Sequence, residues 1–86
     1  MQSLDETALK QIYTAASNNT IDNFRDGAHI LYGGNLLQGM GYSVALEYQY
    51  EAGGMYYGAQ LLLNYSAGIR FRTRKDSTWS SWASIT

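Results

Sequence analysis

Residues 43–51, 55–65 and 69–74 alternate in character with a period of two, and short turn-forming stretches separate them. In the first of these, Val44, Leu46, Tyr48 and Tyr50 fall on one side, and Ala45, Glu47, Gln49 and Glu51 on the other. Successive side chains of a strand point to opposite faces, so this period fits a strand and not a helix. Ala52-Gly53-Gly54 and Ser66-Ala67-Gly68 supply the connections, and the three segments predict an antiparallel meander. Residues 28–32 read as an earlier strand, entered through Arg25-Asp26-Gly27 and broken by Gly33-Gly34-Asn35. Residues 36–41 read as a glycine-punctuated connection or short strand.

The consecutive Leu61, Leu62 and Leu63 demand apolar surroundings on both faces of their strand. With one sheet in 86 residues, the second cover has to be an N-terminal helix, another loop or a neighbouring subunit, and the neighbour is favoured. A chain this short buries only about 60–65% of its unfolded surface, so association is an effective way to gain buried area. There is no cysteine to staple it and no proline to mark a linker.

At the other end, Ser3-Leu4-Asp5-Glu6 reads as a capping box, in which the Ser3 hydroxyl and the Glu6 carboxylate satisfy each other's amides. Leu4, Ala8, Ile12, Ala15 and Ala16 then share one helical face, which predicts a helix over 4–16 stopped by Asn18-Asn19-Thr20. The expected organisation is a helical leader or stalk end over 1–20 and a β-rich knob over 21–86. The fold class is mainly β: a small antiparallel sandwich or meander with a short N-terminal helix, in a trimer.

Charged residues make up only 15% of the chain, and the net charge is −1. A neutral, hydroxyl- and amide-rich surface suits carbohydrate or protein contact, and the charge balance argues against nucleic acid. No stretch is long and apolar enough for a spanning helix, and the N-terminus does not read as a signal peptide, so a soluble chain without membrane insertion is expected.

The final strand carries Arg70, Phe71 and Arg72 and leads into Trp79-Ser80-Ser81-Trp82, with Ile85 beyond. Before it come Val44-Ala45-Leu46-Glu47-Tyr48 and a Gln60-bearing strand, Tyr57-Gly58-Ala59-Gln60-Leu61. In order and spacing these elements, from about residue 28 to 86, resemble the knob domain of phage tail fibres and pyocin-type tail particles. The resemblance implies a homotrimer at a fibre tip, on the virion or on a secreted phage-tail-like particle. There it would contact host cell-surface polysaccharide or lipopolysaccharide.

The residues expected to recognise such a ligand are Tyr48, Tyr50, Tyr56, Tyr57, Gln60, Asn64, Arg70, Arg72, Trp79 and Trp82. Sugar rings offer a face of C–H groups that stacks on aromatic rings, and amides and guanidinium groups bond the flanking hydroxyls. Each has a structural reading beside the functional one. The tryptophans serve equally as packing plugs, and Arg70, Arg72 and Arg74, on one strand face, call for an anionic partner such as Glu47 or Glu51. His29, the single histidine, reads as a hydrogen-bonded structural residue; related fibre trimers sometimes hold a shared metal with one histidine per chain on their axis, and the resemblance leaves that role open for His29. No metal site within one chain and no cofactor is expected.

Catalysis has no sequence support. Glu47 and Glu51 share a strand face about 13 Å apart, against the 5–10 Å of glycosidase carboxyl pairs. No Gly-x-Ser-x-Gly elbow accompanies His29. The Gly34-to-Gly39 spacing lacks the lysine and hydroxyl of a phosphate loop, since Met40 and Gly41 follow. The rival readings are a trimerisation or end-cap module without a ligand, and a depolymerising tailspike fragment.

Overall fold

A computed structural model describes residues 12–85. Among these residues seven strands form one sheet: β1 (Tyr13–Ala15), β2 (Gly27–Gly33), β3 (Ser43–Ala52), β4 (Met55–Asn64), β5 (Gly68–Lys75), β6 (Thr78–Trp79) and β7 (Ala83–Ser84). They lie in the order β1-β2-β3-β4-β5-β6, and β7 also pairs with β5. All neighbours are antiparallel except β1, which runs parallel to β2. The expected meander is present as β3-β4-β5, within one or two residues of each expected end.

Two expectations are corrected. Tyr13, Thr14 and Ala15, the end of the expected 4–16 helix, instead pair with Ile30, Leu31 and Tyr32. The narrow face of alanines gave that helix little to bury, while a sheet edge offers each backbone group a partner. The capping box and the remainder of that segment lie outside the described residues. The sandwich is also absent: among the described residues there is one open sheet, and loops rather than a second sheet cover it.

The turns follow from backbone chemistry. Gly53 and Gly54 both have positive φ (60° and 82°), the geometry of the tight hairpin turn that matches strand twist. Asp76 and Ser77 adopt the same sign (50° and 67°) without being glycine. Tertiary bonds hold them there: the Ser77 amide donates to the Tyr56 carbonyl, and the Ser77 hydroxyl accepts from the Tyr56 amide.

The sheet has two unlike faces. One carries Leu31, Ala45 and Leu62, which with Ile21 and Leu36 from the covering loops form the buried core. Ala16, Leu37 and Trp82 pack against it. The other face bears two apolar rows that run straight across the strands. Ile30, Leu46, Leu61 and Phe71 are in register in one, and Tyr32, Val44, Leu63 and Ile69 in the next. No described segment covers these rows: Leu46 is 44% exposed and Phe71 42%. The leucine triplet is thereby split, with Leu62 in the core and Leu61 and Leu63 on the open side.

Candidate functional site

The loop-covered face is crossed by a polar row. Register places His29, Glu47, Gln60 and Arg72 side by side on four successive strands. Glu47 sits at its centre with no side-chain exposure. Its carboxylate accepts from Arg25 Nε (2.7 Å), Arg25 Nη2 (3.1 Å), Gln49 Nε2 (3.1 Å) and Gln60 Nε2 (2.9 Å). His29 Nδ1 stands 3.3 Å from the second Glu47 oxygen, on this covered side and away from the open face. Among the described residues no cluster of His, Cys, Asp or Glu is arranged to hold a metal.

The same side chains hold the loop over residues 16–26. A loop pressed onto a sheet loses water from its carbonyls, so protein donors have to replace it. Four consecutive carbonyls are met in this way. Thr20 accepts from Arg25, Ile21 from Arg25 and Gln60, Asp22 from the Trp79 indole, and Asn23 from Gln49. Gln60 and Gln49 are fully buried and use both faces of their amides, since their oxygens accept from Arg72 (2.8 Å) and Arg74 (2.9 Å).

Among the described residues, only Arg72 of the three arginines on this face meets an anion, and not an expected one; Arg74 bonds the Gln49 amide, and the buried Arg70 Nε has no hydrogen-bond partner. Arg72 Nη2 donates to Asp22 at 2.6 Å, while Glu47 is taken by Arg25. The Arg72 guanidinium lies between two indoles, 4.2 Å from the Trp79 ring centre and 4.5 Å from that of Trp82. Burial pulls its pKa below the ordinary arginine value, and the bond to Asp22 works the other way. Arg74 rests over Tyr56 and Trp79, and Tyr56 stacks on Phe24 at 4.0 Å. Asn64 bonds the carbonyls of Met40 and Tyr42 and the Ser43 hydroxyl, and its own oxygen caps Ser66 and Ala67.

The open face is different. At its β3–β4 hairpin end Tyr48, Tyr50 and Tyr57 line a cleft of about 540 Å³ with Thr73, Arg74 and Lys75. Tyr50 and Tyr57 stack at 5.6 Å and Tyr48 tilts against Tyr50 at 6.3 Å, so the rings form one continuous aromatic surface. Tyr48 and Tyr50 are 56% and 46% exposed. The Tyr57 hydroxyl donates to Asp76 Oδ1 at 2.8 Å, which raises its pKa above the ordinary tyrosine value. A second groove of about 550 Å³ lies at the opposite end, between Tyr32, Tyr42, Val44, Leu63 and Tyr65, and is almost purely apolar.

The ten expected ligand residues therefore separate into two groups. Tyr48, Tyr50 and Tyr57 come together in an accessible cleft. Tyr56, Gln60, Asn64, Arg72, Trp79 and Trp82 are engaged in internal stacking or hydrogen bonding on the covered side, and Arg70 projects on that side too. Sequence reasoning did not pick out Asp22 and Arg25 as the ion partners, because loop residues carry no period. Thr73 and Lys75 were legible in principle, since register from the two hairpin turns sets Thr73 beside Ala59 and Tyr48.

Comparison with protein-family models, with curated proteins and with solved structures finds no match for the chain.

Proposed function

We propose that this chain is a non-enzymatic adhesive module: the homotrimeric knob of a phage or phage-like tail fibre, binding host cell-surface polysaccharide or lipopolysaccharide. The observation that carries the reading is the Tyr48–Tyr50–Tyr57 cleft. Three adjoining rings give a stacking surface for pyranose C–H faces, and Thr73 and Lys75 stand at its edge to bond hydroxyl or acidic groups. Tyrosine is suited to this because a rigid ring with two torsions loses little entropy on contact. Single sites of this kind are weak, and repetition over three copies and several fibres would supply avidity.

The resemblance in the Gln60, Arg70–Arg72 and Trp79–Trp82 elements supports the assignment to a fibre tip, although those side chains serve the fold of this chain. That same commitment favours the second reading, an end cap or trimerisation module with no ligand. Binding to a glycan array and to whole bacterial cells separates the two. The wild-type chain should bind a surface glycan, and Tyr50→Ala and Tyr57→Ala should each lose about tenfold or more, a stacking contribution of about 1.4 kcal/mol. Binding that is absent, or unchanged in both variants, would reject the adhesive reading.

A further inference from the structure

The open sheet face has no charged residue in its two apolar rows; Glu47, Arg72 and their ion partners lie on the other side, and Lys75 and Asp76 stand only at the tyrosine end. We propose that this face is covered by copies of the same chain, packed sheet against sheet through the Ile30–Leu46–Leu61–Phe71 row. The proposal rests on the assembled-tip reading above and names the surface through which the copies meet.

Area, composition and position carry it. Tyr32 is 48% exposed, Val44 39%, Leu46 44%, Leu63 39% and Phe71 42%. With Tyr42 (77% exposed) and Tyr65 (81%) beside them, and leaving out the Tyr48–Tyr50–Tyr57 end, the face exposes on the order of 800 Å² of mostly apolar side chain, the contribution of one partner to a standard interface. Isolated soluble domains keep their largest patch to about 300–600 Å². A second copy is the fitting occupant because the surface is uniformly apolar, so two like copies bring no charge into opposition, and sheets of this kind interdigitate face to face at about 10 Å. A shallower groove of about 300 Å³ between Leu46, Leu61 and Phe71 leaves room for a partner's side chains at the middle of the row. The tyrosine cleft lies at the rim of such a contact and stays open to a ligand.

The test is sedimentation of the full chain from about 1 to 100 μM, beside Leu46→Asp and Phe71→Asp, with circular dichroism to establish that each variant is folded. The wild type should assemble, and folded variants should be monomeric or assemble at least about 100-fold more weakly. Because a charge in mid-sheet can unfold the chain, Leu46→Cys gives an independent measurement in a protein without other cysteines. Mild oxidation should link its copies, whereas Asn19→Cys, on the loop side, should not link. A wild type that is monomeric at 100 μM, a folded Leu46→Asp that assembles normally, or a Leu46→Cys that fails to link would overturn the proposal. Sedimentation is independent of glycan binding: a chain that assembles without binding glycan defeats the adhesive reading alone. A dimer in place of a trimer keeps the contact and rejects the trimeric count.

Discussion

The Arg72 guanidinium stacks 4.2 Å from the centre of the Trp79 ring, while its Nε donates sideways into the oxygen of the buried Gln60. The residue is thus solvated twice over by the protein, by π-faces above and below and by an amide in its own plane. A desolvated guanidinium over an indole contributes about 2 kcal/mol, which helps to offset the burial of its charge. Trp79-Ser80-Ser81-Trp82 is in this chain the roof of that site. Trp79 is positioned by pairing with Arg74 and by its indole bond to the Asp22 carbonyl.

Arg72 and its ionic partner should differ sharply in importance. The Asp22 side chain is 65% exposed and that of Arg72 only 7%. Removing the carboxylate deletes an ion pair whose acid is largely solvated, while Arg72 keeps Gln60 and the two indoles, so Asp22→Asn should cost no more than about 1 kcal/mol. Arg72→Lys loses the planar fork and leaves the Gln60 oxygen without its in-plane donor, and should cost about 2 kcal/mol or more. Urea unfolding of the two variants measures the contrast, and equal losses would contradict it.

Glu47 is the centre of the buried network, and its loss removes an acceptor from Arg25, Gln49 and Gln60 and the buried counter-charge of Arg25. Glu47→Ala should destabilise by about 3–5 kcal/mol, as is usual when one partner of a buried pair is deleted. In a domain whose whole stability is about 5–15 kcal/mol this approaches unfolding. The measurement is thermal melting by circular dichroism, compared with Glu51→Ala, whose exposed side chain should matter within about 0.5 kcal/mol.

Gly58 occupies a register position between Gln49 and Arg74. A Cβ there would lie 2.6 Å from the Tyr48 carbonyl oxygen and 2.8 Å from Gln49 Cγ. The space above the glycine is filled by the side chains that hold Asn23, so Gly58→Ala should cost about 1–3 kcal/mol by overpacking. Gly53→Ala, at an open hairpin with φ of 60°, makes no such clash and tests backbone strain alone. The larger loss should belong to Gly58→Ala in denaturant titration.

Tyr57 should titrate above the ordinary tyrosine value. Its hydroxyl donates to the Asp76 carboxylate, and ionisation would both break that bond and set two negative charges together. The folded pKa is raised, so the bond's contribution is complete below the unfolded value of about 10 and is lost as pH climbs through the folded value. Ultraviolet titration of tyrosinate should show one late group that Asp76→Asn moves downward. An unchanged curve in that variant would remove Asp76 as the cause.

Much of the strand content was legible because alternation and turn chemistry are local. Val44, Leu46, Tyr48 and Tyr50 on one side of β3, with Gly53-Gly54 at its end, leave little freedom in register. The end of the expected helix, Tyr13–Ala15, is strand for the complementary reason: Tyr13 and Thr14 suit an edge strand, and nothing local fixes where a helical period stops. For the site, the aromatic cluster was visible as composition. Which tyrosines are accessible was not, because that depends on which face the loops choose to cover.

That choice is where the sequence by itself stops. Period-two patterning determined two faces, one of leucine, phenylalanine and tyrosine, and one of Glu47, Gln49, Gln60 and Arg72. Patterning alone would bury the first. The tertiary structure covers the second instead: Gln60 and Gln49 meet the Ile21 and Asn23 carbonyls, Glu47 holds the loop's Arg25, and Ile21 and Leu36 pack on Leu31, Ala45 and Leu62 beside them. Among the described residues the apolar face is left open.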